Sequence, residues 1–136
     1  MSLESEPFNA TWRFLPDLSN LSSPDPRSWF HTIATGPETI SVHEEIERQD
    51  GSRIVQRIQG RLDGADYPIE GNPAFDTVAY VRTGPNTIAG TGKKKGVVCL
   101  KETMTVEPDS RKLTLVYNYL IGGEVIATGL AVFQGE

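Results

Sequence analysis

The sequence predicts an all-β protein, an antiparallel up-and-down meander closed into a barrel of about eight to ten strands. Three observations carry that expectation. Short runs of β-type residues recur at roughly ten-residue spacing. Strong turn formers separate them. No stretch sustains a helical period.

Nine runs fit strands: 10–15, 28–34, 39–48, 53–62, 76–83, 87–94, 97–107, 111–121 and 124–134. Between them stand Gly36-Pro37, Asp50-Gly51, Gly84-Pro85-Asn86, Lys95-Gly96, Pro108-Asp109 and Gly122-Gly123, all residues that favour turns. The one helical candidate, 16–27, holds Pro16, Pro24 and Pro26, and its apolar Leu18 and Leu21 support at most one turn. It reads as a loop or lid. Short connections imply sequential hairpins, and closing the meander removes both bare edges.

Pairing the hairpins so that apolar residues share a face fixes the expected registers. A three-residue turn ending in a left-handed Gly51 sets Ile46 across from Ile54, Val42 across from Ile58 and Ile40 across from Gly60. A turn at Lys94-Lys95-Gly96 sets Gly92 against Val98 and Gly90 against Leu100. A four-residue turn from Pro108 to Arg111 sets Met104 against Leu115, Leu100 against Tyr119 and Val98 against Ile121. A two-residue Gly122-Gly123 turn sets Tyr119 beside Ile126, Leu115 beside Leu130 and Leu113 beside Val132.

Polar residues are caught on that apolar face. Glu44 lies between Val42 and Ile46 and is expected across from Gln56. Glu102 lies between Leu100 and Met104, across from Tyr117, whose other neighbour is Thr128. A carboxylate in such a place must be partnered, neutralised or wet. The expected ligand-binding set is therefore Glu44, Gln56, Leu100, Glu102, Met104, Tyr117 and Tyr119, with Ile126 and Leu130 extending the apolar wall. The plainer alternative is that these polar side chains only bond one another and support packing.

Composition narrows the function classes. The 136 residues suit one domain, 1–136, and the 38% hydrophobic and 23% charged content suits a folded chain. A formal net charge of -5 argues against a nucleic-acid partner. Cys99 is the only cysteine, which excludes an internal disulfide and a thiolate zinc site. No run is long enough to span a bilayer. The acidic start, Met1 to Pro7, has no apolar export segment, so the cytoplasm is the default compartment, with a removed signal as the alternative.

Catalytic and cofactor signatures are absent. No G-x-S-x-G elbow occurs, and the two histidines, His31 and His43, lie on different runs, a weak metal pair. No catalytic residue, metal ligand or cofactor is therefore assigned. His43 alternates with Ser41, Glu45 and Glu47 and reads as solvated. His31, beside the expected lid, reads either way. Lys93-Lys94-Lys95 is a hairpin tip that protects an edge. Gly90-Thr91-Gly92 has no following helix with which to hold a phosphate. Asn9-Ala10-Thr11 and Asn20-Leu21-Ser22 match the glycosylation acceptor, which matters only after export.

Two passages resemble known families. Asn9-Ala10-Thr11-Trp12 resembles the G-x-W opening of lipocalins, with Ala10 in place of the glycine. In lipocalins that tryptophan closes the narrow end of the barrel under an arginine of the last strand; here 124–134 holds no arginine, and the lipocalin disulfide is missing. The segment from Asp63 to Val78 is similar to the D-G-x-D-Y-P-x-x-G-N-P-x-x-D-T-V passage of small bacterial lipocalin-like proteins of unassigned function. It reads as a long connection stiffened by Pro68 and Pro73, packed down by Tyr67 and Phe75.

The leading expectation is a lipocalin-like barrel binding a small apolar or amphipathic molecule, compatible with a homodimer. The alternatives are a barrel enzyme of isomerase or cyclase type, using Glu102 or Glu44 as acid or base, and a filled barrel acting through self-association.

Overall fold

A computed structural model describes residues 6–136. The acidic start read above lies largely outside the described residues. Ten strands follow in chain order: β1 (Ala10–Phe14), β2 (Ser28–Thr35), β3 (Thr39–Glu47), β4 (Arg53–Arg61), β5 (Tyr67–Glu70), β6 (Thr77–Gly84), β7 (Thr87–Lys94), β8 (Val97–Glu107), β9 (Lys112–Ile121) and β10 (Glu124–Gly135). Each pairs antiparallel with its neighbour in sequence, and β1 pairs with β10 to close the barrel. The seam joins Trp12 to Gly135 and Phe14 to Phe133. The closed meander is the expected fold, with two strands more than the eight of lipocalin barrels.

The strand beyond the nine expected is β5. The sequence is read above as a long connection over Tyr67–Glu70, stiffened by Pro68 and Pro73; Pro68 also lacks the N–H that a strand residue offers its neighbour. The strand is short enough to tolerate this, with two residue pairs to β4 and two to β6.

Turn chemistry sets most of the registers. At the β3–β4 turn Gly51 takes a left-handed φ of 87°, and Ile46–Ile54, Val42–Ile58, Ile40–Gly60 and Glu44–Gln56 pair as expected. The β8–β9 hairpin likewise gives Leu100–Tyr119, Glu102–Tyr117 and Met104–Leu115. Leu100–Tyr119 is its last pair, so the Val98–Ile121 pairing is not formed.

Two hairpins depart from expectation through β-bulges. The β7–β8 turn is a two-residue one, Lys95-Gly96, with both residues at positive φ. A bulge beyond it leaves Cys99 unpaired, so Gly92 faces Leu100 and Gly90 faces Glu102, two residues from the expected partners. The face is unchanged. In β10 the Gly122-Gly123 turn forms, but a bulge leaves Ile126 unpaired. That single residue inverts the rest of the strand. Tyr119, Leu115 and Leu113 face Ala127, Ala131 and Phe133 in place of Ile126, Leu130 and Val132. Tyr117 faces Gly129, while Thr128 turns outward and donates to the Asn118 side chain. Ile126 and Leu130 lie exposed outside the barrel and supply no interior wall.

One end of the barrel is packed solid. Phe8, Trp12, Ile33, Ile40, Ile88, Val106, Leu113 and Phe133 are fully enclosed there. The Trp12 indole donates to the Phe8 carbonyl at 2.9 Å. Trp12 sits opposite Gly135 across the seam, so the ring lies over a strand with no side chain. Met104, 2% exposed, belongs to this packed region. The other end is open. Among the described residues, no helix is long and apolar enough to cross a membrane.

Candidate functional site

The open half holds a cavity of about 500 Å³. Its walls come from five strands: Trp29 and His31 on β2, Glu44 and Ile46 on β3, Ile54 and Gln56 on β4, Leu100 and Glu102 on β8, and Leu115, Tyr117 and Tyr119 on β9. Its mouth is lined by Leu21 and Ser23–Pro26 of the β1–β2 connection, Arg48, Gln49 and Asp50 of the β3–β4 turn, and Asn72, Ala74 and Phe75. The proline-rich segment expected as a loop or lid therefore stands at the entrance. Six of the seven residues expected to bind a ligand line this space; Met104 lies deeper, outside the lining.

One wall carries a connected polar chain. His31 and Glu44 are directly opposed on β2 and β3, and His31 Nε2 lies 3.2 Å from Glu44 Oε1. Gln56 Nε2 donates to the same oxygen, and Trp29 Nε1 donates to Glu44 Oε2 at 2.6 Å. The Gln56 carbonyl accepts from Asn72 Nδ2 at 2.6 Å, which fixes the orientation of the amide. His31 Nδ1 has no hydrogen-bond partner among the described residues; its ring meets Phe133 edge-on at 4.9 Å between centroids.

Electrostatics separate the two interior carboxyls. Burial pushes the Glu44 pKa up, but the His31 charge and the hydrogen bonds from His31, Gln56 and Trp29 outweigh it and hold the carboxyl below its ordinary range. Burial pulls the His31 pKa down, and Glu44 more than reverses this, so the imidazole is held above its ordinary value. Each residue thus favours the charged form of the other across one wall.

Glu102 has no such support. Burial and then the Glu44 charge push it up to about 7, with His31 opposing only in part. No hydrogen bond contributes to its ionisation balance. Gly90 makes room for it: a Cβ there would meet Tyr80 Cε1 at 2.9 Å and Glu102 Cγ at 3.1 Å. Burial also raises the Tyr80 and Tyr119 phenols, keeping both neutral. Tyr117 and Tyr119 stand edge to face, 5.4 Å between centroids, beside Glu102.

Three members of the polar chain stand outside the set expected from the sequence. His31 and Trp29 follow once the Gly36-Pro37 hairpin is registered, since Thr35 pairs with Ile40 and His31 then falls on Glu44. Asn72 lies in the segment read as a plain connection, and nothing local marks its side chain as turned inward. His43 faces outward, accepting from Arg57 at Nδ1 and meeting Glu45 at Nε2. No group of three or more His, Cys, Asp or Glu side chains among the described residues is placed to hold a metal ion.

No protein-family model matches the chain, and no curated protein matches it.

Proposed function

We propose that the protein binds a small apolar or amphipathic molecule inside the open half of the barrel. The observation that carries this reading is the cavity itself. A space of about 500 Å³ lies within the range of small-ligand pockets and opens to solvent at one end. Its body is apolar, through Leu100, Leu115, Ile46, Ile54 and Phe75, and its few polar groups converge on it from two sides. A barrel acting only through self-association has no need of such a space.

A second reading, acid–base catalysis on a bound ligand, draws on the contrast between an ionised Glu44 and a Glu102 poised near neutrality. Both readings require binding first.

N-phenyl-1-naphthylamine, an uncharged fluorescent probe, tests the common step. It is expected to bind saturably with a blue-shifted emission. Leu100→Trp, which places an indole into the cavity, is expected to weaken the probe at least tenfold while the circular dichroism stays that of the parent. Absence of saturable binding to the parent protein overturns the reading.

A further inference from the structure

Glu102 is the one interior carboxyl that the fold leaves without a partner. Glu44, the other, is saturated: a histidine, a glutamine and a tryptophan serve its two oxygens. Glu102 lines the cavity, receives no hydrogen bond among the described residues and has no lysine or arginine paired with it. The nearest cation in sequence, Lys101, is exposed on the outer face. When ionised Glu102 is acceptor-only, and in an apolar wall it is then satisfied by a ligand that brings a donor, best of all a charged one. Tyr117 and Tyr119 stand on the neighbouring strand and line the same cavity, adding aromatic wall for the apolar part of such a ligand.

The sign of the local field agrees. Glu44 disfavours a negative charge on Glu102 more strongly than His31 favours it, so the pocket floor is net attractive to positive charge. An anionic ligand would meet Glu44 and Glu102 against His31 on the walls, and Asp25 and Asp50 against Arg48 at the mouth.

We propose that the cavity is a site for a small amphipathic amine, whose ammonium group pairs with the Glu102 carboxylate while its apolar body lies along Leu100, Leu115 and Phe75. This assignment rests on the binding reading above and adds the chemical class of the ligand.

Competition against N-phenyl-1-naphthylamine tests it with three eight-carbon ligands that share one apolar body: octylamine, 1-octanol and octanoate. At pH 8 octylamine is expected to displace the probe at least tenfold more tightly than octanol, with octanoate the weakest. The advantage over octanol is expected to shrink as pH falls through about 7 and to be largely lost well below it, as Glu102 takes up a proton. The ionisable groups around Glu102 are His31 on β2, Glu44 on β3, Tyr80 on β6, and Tyr117 and Tyr119 on β9, with Asp25, Arg48 and Asp50 at the mouth. Of these His31 gains charge as pH falls and works in the same direction, so a variant is needed to separate the two. In Glu102→Gln the amine's advantage at pH 8 is expected to drop below threefold, leaving only the shallow pH dependence due to His31.

If the probe binds but octylamine is no better than octanol at pH 8, or octanoate is better than both, the amine assignment is overturned and the binding reading stands. If the probe does not bind at all, both fall. Should Glu102→Gln fail to fold, the pH dependence of the parent protein decides: a flat octylamine-to-octanol ratio between pH 5.5 and 8 overturns the assignment.

Discussion

The phenol end of the Tyr117 ring lies directly over Gly129, its partner across β9 and β10, and a Cβ on Gly129 would collide with Tyr117 Cζ. Tyr80 over Gly90 and Trp12 over Gly135 repeat the arrangement between other strand pairs. Where the opposing residue has no side chain, an inward ring can lie flat against the neighbouring strand. These glycines therefore decide where the interior rings lie, and Gly129 sets one wall of the cavity. Gly129→Ala is expected to push the Tyr117 ring toward the cavity and destabilise the protein by about 1–3 kcal/mol. Urea unfolding measures the loss, and weaker probe binding in the same variant reports the displaced ring.

That relationship also shows where sequence reading stops. The alternation of apolar residues, with Asp50-Gly51 and Gly122-Gly123 as punctuation, was enough for the closed meander, and the β3–β4 and β8–β9 registers followed from it. In β10 the error of pairing came from one extra residue, Ile126, left out of the ladder by a bulge. At β7–β8 a turn one residue shorter than expected and a bulge at Cys99 each moved the register by one. A bulge has no composition of its own. In β10 the sequence Val125-Ile126-Ala127-Thr128-Gly129-Leu130 alternates equally well in either phase, so pattern alone favoured the larger residues inside. The fold chose the small ones, because Tyr117 and Tyr119 already occupy that space. Glu44, Gln56 and Glu102 were legible because a carboxylate or amide between two core residues has few other places to be. Asn72 was not, since its inward turn depends on a loop that only the tertiary structure fixes.

Asn72 is expected to matter through the chain it anchors. Its amide holds the Gln56 carbonyl, which in turn aims the Gln56 amide at Glu44. Asn72→Ala leaves that buried carbonyl without its donor and should cost about 1 kcal/mol in urea unfolding. Gln56→Ala in the Asn72→Ala background should cost less than in the parent, because the two residues act in one network. Strictly additive costs would show that the chain is not coupled.

The His31–Glu44 pair should be far more costly to break than to remove. His31→Leu strands a buried carboxylate and is expected to destabilise the protein by about 3–5 kcal/mol. Adding Glu44→Gln should restore part of that loss by removing the charge. The pair also has a pH window. His31 is raised, so its contribution is complete below about 6.5 and is lost as pH rises through its folded value. Glu44 is lowered, so its contribution is complete above about 4.5 and is lost as pH falls through its folded value. Thermal unfolding of the parent should therefore show the pair's contribution greatest between roughly pH 4.5 and 6.5. In His31→Leu/Glu44→Gln this part of the pH dependence should vanish.

Glu102 acts on stability with the opposite sign to Glu44. Its pKa rises from 4.5 to about 7 on folding, so between those values the unfolded chain has lost a proton that the folded protein retains. Stability contributed by this group is level below pH 4.5, falls as pH rises, and levels off above about 7. The total change is at most about 3 kcal/mol, since water entering the cavity screens part of the burial. Glu102→Gln removes the titration while keeping the shape of the side chain. Its melting temperature relative to the parent should therefore be several degrees higher at pH 8 than at pH 4.5, in line with about 2–3 kcal/mol in a chain of this size. Octylamine supplies the complementary measurement. By pairing with the ionised carboxyl, it should raise the parent's melting temperature at pH 8 and do little at pH 4.5, where Glu102 is neutral. A Glu102→Gln difference that is the same at both pH values would mean that folding leaves the titration of the carboxyl unshifted, and would overturn the burial argument.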